Sequence, residues 1–341
     1  MNTVKVEIIK NVGKFIEIGN RIRNRQELLV PKSEDLSILK FVEQTDVKMQ
    51  MLSATSDGNE GRILAYLEKG VGFIGWYECD EDMEIHQSLM DSAEEWFQSN
   101  SITEIFGPVN GSTWGQYRFN LDCEYPLFVG EPFQPLFYID FWEYTGYETQ
   151  LFYKTEQPPK SLLQETTAQA VEAHFDQHGM SIHHFPNQLG TELEDELYSF
   201  YDKCFVTNPL YSKIEKESYR ELSRKIEGII ETRLSYFLRN KEGEIIAVFV
   251  CYRDIYHELK SSAKEHQSHK LILKTIATHP DYQNQKIGTI MVNLIHNQAY
   301  EIGFDQVIHA MMFSGNITSK VGSKKFNTKV LRTYSLMKKE L

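Results

Sequence analysis

The stretch Thr275–Thr289 (TIATHPDYQNQKIGT) is the part of the sequence best equipped for chemistry. An apolar run stops at His279-Pro280, a polar turn follows, and a helical pattern begins near Gly288. A turn that feeds a helix leaves the first backbone N–H groups without partners, and the aligned peptide dipoles add partial positive charge there. Phosphate or diphosphate is the ligand that such a mouth suits. Lys286 adds a full charge, Gly288 lets a ligand approach the backbone, and Thr289 offers a hydroxyl. Alone, a strand–turn–helix with one glycine is more often a plain connection. Neither GxxxxGK[ST] nor GxGxxG is present, so the P-loop and dinucleotide fingerprints are excluded.

Few other groups have the right company. His279 carries the imidazole that often serves as a general base, yet it precedes Pro280 and reads more readily as a turn residue. Tyr211, Tyr282 and Tyr334 are hydroxyls able to act as acids, and spacing does not choose among them. His174 and His178 are four apart on an expected helix, but no third ligand completes a set, so no metal is expected. There is no GxSxG elbow. The cysteines, Cys79, Cys123, Cys204 and Cys251, share no CxxC spacing and fit a reducing cytoplasm.

These residues need a scaffold, and 341 residues suggest about two domains. With 36 Lys and Arg against 48 Asp and Glu, the formal charge of −12 disfavours nucleic acid. The 20 Phe, 18 Tyr and 4 Trp predict a packed core. No uncharged apolar run approaches the ~18 residues of a membrane span. The opening MNTVKVEIIK lacks the apolar core of a signal peptide. A break is expected at Thr155–Lys160 (TEQPPK), giving a first domain at 1–154, a linker and helix at 155–179, and a second domain at 180–341.

In the first half, Leu36–Val42 and Gly61–Leu67 read as strand or loop-edge segments, Val71–Cys79, Ile102–Phe106, Phe133–Trp142 and Gly146–Tyr153 as strands, and Met83–Asn100 as a helix. In the second half, Met180–Phe185 is a strand. Thr191–Phe205 is a helix capped by Thr191 with Glu194, and Glu215–Ile226 is a second helix. Leu234–Arg239 and Ile245–Tyr252 form a hairpin. Leu271–Thr278 is a strand, Gly288–Ile302 a helix, Gln306–Phe313 a strand, Ile317–Lys325 a helix and Leu331–Lys339 a last strand. The segment between Ile255 and Lys270 is a charged excursion. Both halves share a strand–helix–strand order, a weak internal repeat of pattern.

That order resembles the GNAT N-acetyltransferase superfamily. Gln283–Gly288 (QNQKIG) is similar to its acyl-CoA diphosphate loop, Q/R-x-x-G-x-G/A, except that Lys286 stands where the middle glycine is usual. The resemblance implies an α/β (α+β) mixed-sheet fold with two tandem GNAT-like domains. It implies acetyl-CoA or another acyl-CoA as co-substrate, gripped by Gln283, Asn284, Gln285, Lys286, Ile287, Gly288 and Thr289. Ile276-Ala-Thr278 resembles the strand that pairs with the pantetheine arm, and Asn316 and Ser319 the element that flanks it. The acceptor is then a small-molecule or peptide amine. The loop Val206–Ile214 would govern its choice, with Leu210 and Tyr211 read equally as core plugs. The family's acid, a Tyr, falls near Ser323 here, so His279, Tyr211 and Tyr282 are the weak catalytic candidates.

Phe106–Trp114 (FGPVNGSTW) resembles a signature of bacterial tandem GNAT-like proteins. In the first half, however, the turn before the helix reads Cys79-Asp-Glu-Asp-Met-Glu84. Its carboxylates repel a diphosphate by ~1–4 kcal/mol per close pair before screening. The first domain is therefore expected to be degenerate and not to bind CoA. The alternatives are an aminoacyl or peptidyl transferase of the Fem-like tandem GNAT type, which the −12 charge opposes, and a non-catalytic CoA- or partner-binding protein.

Overall fold

The structure, a computed structural model, describes residues 3–26, 33–122, 127–160, 166–255, 269–315 and 328–341. The chain divides into two compact units. One comprises Met1–Glu124, Pro132–Phe152 and Thr333–Leu341, the other Tyr125–Glu131 and Tyr153–Arg332.

The first unit opens with β1 (Lys5–Ile9), α1 (Val12–Arg25) and α2 (Ser33–Gln44). An antiparallel meander follows: β2 (Met49–Ser56), β3 (Asn59–Glu68) and β4 (Val71–Cys79). Its two hairpins turn on Asp57-Gly58 and Lys69-Gly70, all four at positive φ, the twist that two-residue hairpins require. Next come α3 (Met83–Ser99), β5 (Glu104–Gly107), the short β6 (Phe119–Asn120) and α4 (Phe137–Tyr144), then β7 (Glu148–Gln157). Ile85, Leu89, Ala93 and Phe97, spaced by four along α3, bury fully against Ile63, Ile74 and Ile105 of the sheet.

Two segments, one expected as a strand or loop edge and one as a strand, lie in helices. Leu36–Val42 lies in α2, where Ile38 is buried and Phe41 packs on Tyr66 and Trp76. Residues 137–142 of the expected strand Phe133–Trp142 lie in α4, which buries Tyr138, Phe141 and Trp142. Aromatic richness favours a strand locally, but the i, i+3, i+4 spacing fits one helical face, and burial decides.

His86 on α3 is fully buried, its Nδ1 2.9 Å from the Tyr77 hydroxyl and its Nε2 3.1 Å from Thr145 Oγ1. Burial drives its pKa down from 6.5 to about 4. The unfolded chain therefore binds this proton more readily, so the stabilisation is complete above pH 6.5 and is lost as the pH falls towards 4. We expect about 3 kcal/mol of stability to vanish across that window. His86→Phe should flatten the slope of urea-unfolding free energy against pH, and an unchanged slope would refute the assignment.

The second unit repeats the order of the first. After α5 (Ala168–Gln177) come β8 (Met180–His184), α6 (Thr191–Phe205) and α7 (Lys216–Glu227). The hairpin β9 (Tyr236–Asn240) and β10 (Ile245–Arg253) leads to β11 (Lys270–Thr278), α8 (Ile287–Glu301) and β12 (Gln306–Phe313). Strand order here is β8-β9-β10-β11-β12-β7, with β11 and β12 parallel and the other neighbours antiparallel. The cap of α6 is Gly190, without a side-chain hydrogen bond, so Thr191 does not serve as expected.

The expected break after residue 154 falls inside β7, and the chain passes between units at 152/153. β13 (Lys329–Glu340) sends Thr333–Leu341 back to the first unit, where Met337 to Glu340 pair antiparallel with Gly107 to Glu104. No local pattern could announce this, because a strand's sequence does not name the edge that it joins. Cys79, Cys204 and Cys251 are free thiols, and among the described residues no helix is long and apolar enough to cross a membrane.

Candidate functional site

In the second unit, β11 and β12 begin as a parallel pair and then part. Their register runs from Lys270↔Gln306 to Leu273↔His309 and stops there. β11 remains paired with β10 as far as Thr278↔Ala247, and β12 turns to β7 at Met312↔Lys154 and Phe313↔Tyr153. A register shift at Val250/Cys251 marks a bulge where the strands begin to diverge. From Thr275 to Thr278, one edge of β11 therefore has no strand partner among the described residues. Such an edge carries backbone donors and acceptors ready for an extended chain.

The open edge ends at the turn that the sequence singled out. His279 donates its N–H to the Ile246 carbonyl at 2.8 Å, and its Nδ1 accepts from the Asp281 N–H at 3.3 Å. It caps the 3-10 turn Pro280–Tyr282, which makes its observed role structural. Tyr282 packs against the apolar core, and its hydroxyl accepts from Asn240 Nδ2 at 3.1 Å. Tyr211 donates to Asp202 Oδ1 at 2.9 Å, and the same carboxylate holds Lys213 at 2.6 Å. Burial and this carboxylate raise the Tyr211 pKa, so the phenol keeps its proton.

Gln283 to Lys286 are exposed, and Ile287 is buried in the core, anchoring the first turn of α8. Asn284 and Lys286 adopt left-handed backbone, φ 65° and 62°. That conformation is costly for side-chain-bearing residues and curls successive amides into an anion-binding nest. Lys286 is the N-cap of α8 and makes no side-chain cap, and no acidic residue lies in the first turn. The first amide of this helix to bond is that of Ile290, to the Lys286 carbonyl. Those of Ile287, Gly288 and Thr289 find no acceptor among the described residues. A Cβ added at Gly288 would meet no atom of the described residues within 4 Å, so among them the approach is open. The structure thus brings Ile276, Thr278 and Gln283 to Thr289 together along one edge and its terminus. Asn316, Ser319, Ser323 and the expected helix Ile317–Lys325 lie outside the described residues, as does most of the charged excursion.

The equivalent place in the first unit is filled by the chain itself. β4 and β5 pair only at Gly72↔Ile105 and Phe73↔Phe106. Beyond them the Val109 N–H donates to the Ile74 carbonyl at 2.8 Å, and Asn110 Oδ1 accepts from the Trp76 N–H at 2.7 Å. Val109 O lies 2.1 Å from where a Cβ on Gly75 would stand, so only glycine admits this insertion. The mouth of α3 is also occupied: Asp82 Oδ1 accepts from the N–H groups of Glu84 and Ile85 at 3.1 and 3.2 Å. Asp80, just before it, is paired with Arg25.

Two histidines that the residue pattern did not single out lie where β11 and β12 part. His296 on α8 is fully buried, and its Nε2 is 2.9 Å from Nε2 of the half-buried His309 on β12. Burial lowers both pKa values, that of His309 to about 4, against a partly opposing pull from Glu156. Both rings are therefore neutral at neutral pH. A polar residue inside an apolar run (NLIHNQ, QVIHAM) was the available signal. Among the described residues no group of three or more His, Cys, Asp and Glu is arranged to hold a metal.

Residues 194–319 match the model of the acetyltransferase (GNAT) family. No curated protein is similar enough to match. Among solved structures, a tandem GNAT protein from the clavulanic acid biosynthesis pathway is 10% identical with a TM-score of 0.51, over 99% of this chain and 98% of that one. A conserved protein from Enterococcus faecalis V583, described as "Probable N-Acyltransferase", is 8% identical with a TM-score of 0.57, over 99% of this chain and 73% of that one. A glucosamine N-acetyltransferase region in a fungal multi-domain β-N-acetylglucosaminidase is 13% identical with a TM-score of 0.54, over 99% of this chain and 38% of that one. At these identities the likeness is one of fold.

Proposed function

We propose, for a chain that carries a GNAT domain and has the mixed α/β fold of tandem GNAT proteins, that its second unit binds an acyl-CoA and transfers the acyl group to an amine. The observation that carries this reading is the parting of β11 and β12 after Leu273↔His309, which leads to a helix mouth that no described side chain caps. The diphosphate would take the amides of Ile287, Gly288 and Thr289, with Gln283, Asn284, Gln285 and Lys286 as its rim. The pantetheine arm, an extended chain with amide groups, would pair with the open edge of β11 near Ile276 and Thr278. A thioester is already activated, so holding it beside the amine supplies much of the rate. We assign the donor as acetyl-CoA and the acceptor as a small-molecule or peptide amine, in a reducing compartment that suits the free thiols.

Calorimetry with acetyl-CoA tests this. One site per chain is expected, with a Kd on the order of 10 µM, within the usual range for co-substrates. Inorganic diphosphate should compete. Absence of binding heat and of any thermal stabilisation by acetyl-CoA would sink the reading.

A further inference from the structure

From the placement of the buried histidine pair we infer that His309 carries the proton of the acyl transfer from the attacking nitrogen to the CoA sulfur, and that His296 positions it. The inference rests on the acyl-CoA reading above.

Distance is the first argument. The amides that would hold the diphosphate begin α8, and His296 lies nine residues further along it, about 14 Å at the helical rise. Along β11, Thr278 to Leu273 covers about 16 Å, and Leu273 is paired with His309. A pantetheine arm, as long as roughly four extended residues, spans about 14 Å. A carrier gripped at the helix mouth and laid along the open edge therefore brings its sulfur to the apex, where His309 stands.

Exposure and bonding are the second. His309 is only partly buried, and no described residue is hydrogen-bonded to its Nδ1, whereas its Nε2 is held by His296. For Nδ1 to accept a proton, His309 must carry its own hydrogen on Nε2 and donate it to His296 Nε2. His296 then holds its hydrogen on Nδ1, a buried atom without a partner among the described residues. A dry, unpaired nitrogen is costly, and such exceptions gather where chemistry requires them. The groups around the pair are Glu156 and Lys154 from β7, the apolar Leu273 from β11 and Tyr300 from α8. Glu156 is opposite His309 in the register, and its carboxylate favours the charged ring that forms in transit.

The step balances without a further reagent. A neutral amine attacks the thioester carbon, the N–C bond forms, and the C–S bond breaks. The proton shed by nitrogen goes to His309 Nδ1 and from there to the departing sulfur, leaving an amide and free CoA thiol. An ammonium acceptor must first release a proton to solvent.

Hydroxylamine, a small nucleophile that needs no acceptor pocket, makes the test independent of the natural acceptor. Thiol release from acetyl-CoA is followed alongside calorimetry for wild type, His309→Gln, His309→Ala and His296→Gln. The expected result is acetyl-CoA affinity within about twofold throughout, with kcat about 100-fold lower for His309→Gln and about tenfold lower for His296→Gln. Imidazole should restore turnover to His309→Ala, which a purely structural role would not allow. Unchanged kcat in His309→Gln overturns the inference, as does wild-type binding of acetyl-CoA without accelerated thiol release. A wild type that does not bind acetyl-CoA overturns the acyl-CoA reading itself, and the inference with it. Should the variants fail to fold, side-chain ¹⁵N shifts of wild-type histidines decide. A change at His309 Nδ1 on adding CoA supports the role, and no change rejects it.

Discussion

The double variant Lys286→Glu, Gly288→Asp should bind acetyl-CoA about 100-fold more weakly than wild type, a loss of about 2.7 kcal/mol. Two effects add. A carboxylate at position 286 replaces a cation next to the proposed diphosphate, and one at position 288 stands among the amides that would grip it. Charges ~4 Å apart interact by ~1–4 kcal/mol between bulk water and a protein surface, so a loss within that range is expected. The penalty should shrink as salt is raised, because Gln283 to Lys286 are exposed. Folding should not suffer. Gly288 does not have positive φ, and its missing Cβ would meet no atom of the described residues within 4 Å. An acid in the first turn of a helix is favourable, so the melting temperature should hold or rise. Gly288→Asn, of similar size but uncharged, separates crowding from charge and should lose less. Calorimetry at two salt concentrations reads all of this, and an affinity within threefold of wild type would place the carrier elsewhere.

The same contrast is built into the two units. Asp82 already puts a carboxylate at the mouth of α3, as the Gly288→Asp substitution would at the mouth of α8. Val109 and Asn110 close the gap next to β4, whereas no described residue closes the one next to β11. The acidic turn at Asp80–Glu84 was legible in the sequence because charge is a property of residue type. The plug was not, because Asn110 works through one side-chain oxygen on the Trp76 amide, a contact that spacing does not announce. In the second unit the strand, turn and helix around Gln283–Gly288 were readable from periodicity and from glycine and proline placement. The open edge depends on a register that ends at Leu273↔His309, and register between distant strands is set by the whole sheet. His279 shows how little residue type says by itself. Its residue type suggested a base, while its Nδ1 is engaged by a turn amide. The helices α2 and α4 were misread because Ile, Phe and Tyr favour strands locally, and the faces that they bury become visible only in the packed unit.

In the first unit, Glu78→Gln should cost about 3–5 kcal/mol of folding stability, the usual consequence of stranding a buried charge. Arg62 on β3 is fully buried, with its guanidinium 4.5 Å from the Phe15 ring centroid and Nη1 donating to the Phe15 carbonyl at 2.5 Å. Its Nε is bonded to Glu78 Oε2, and Nη2 has no partner among the described residues. The other oxygen of Glu78 accepts from Arg23 at 2.5 Å, and Arg23 reaches on to Asp35 at 2.8 Å. One carboxylate thus serves two arginines that are out of water. α1 can come this close only because Gly19 has no side chain: a Cβ there would stand 2.1 Å from the Arg62 guanidinium. A neutral amide at position 78 keeps the shape but leaves Arg62 with no countercharge, whereas Arg23 retains Asp35. Replacing the pair together, Arg62→Met with Glu78→Leu, removes both buried charges and should return stability to within about 1 kcal/mol of wild type, since apolar substitutes for buried ion pairs are often neutral. Urea unfolding of the single and double variants discriminates sharply. A single variant as stable as wild type would mean that water reaches Arg62. A double variant as damaged as the single would mean that the ion pair itself, rather than its incompleteness, governs the packing of α1 on the sheet.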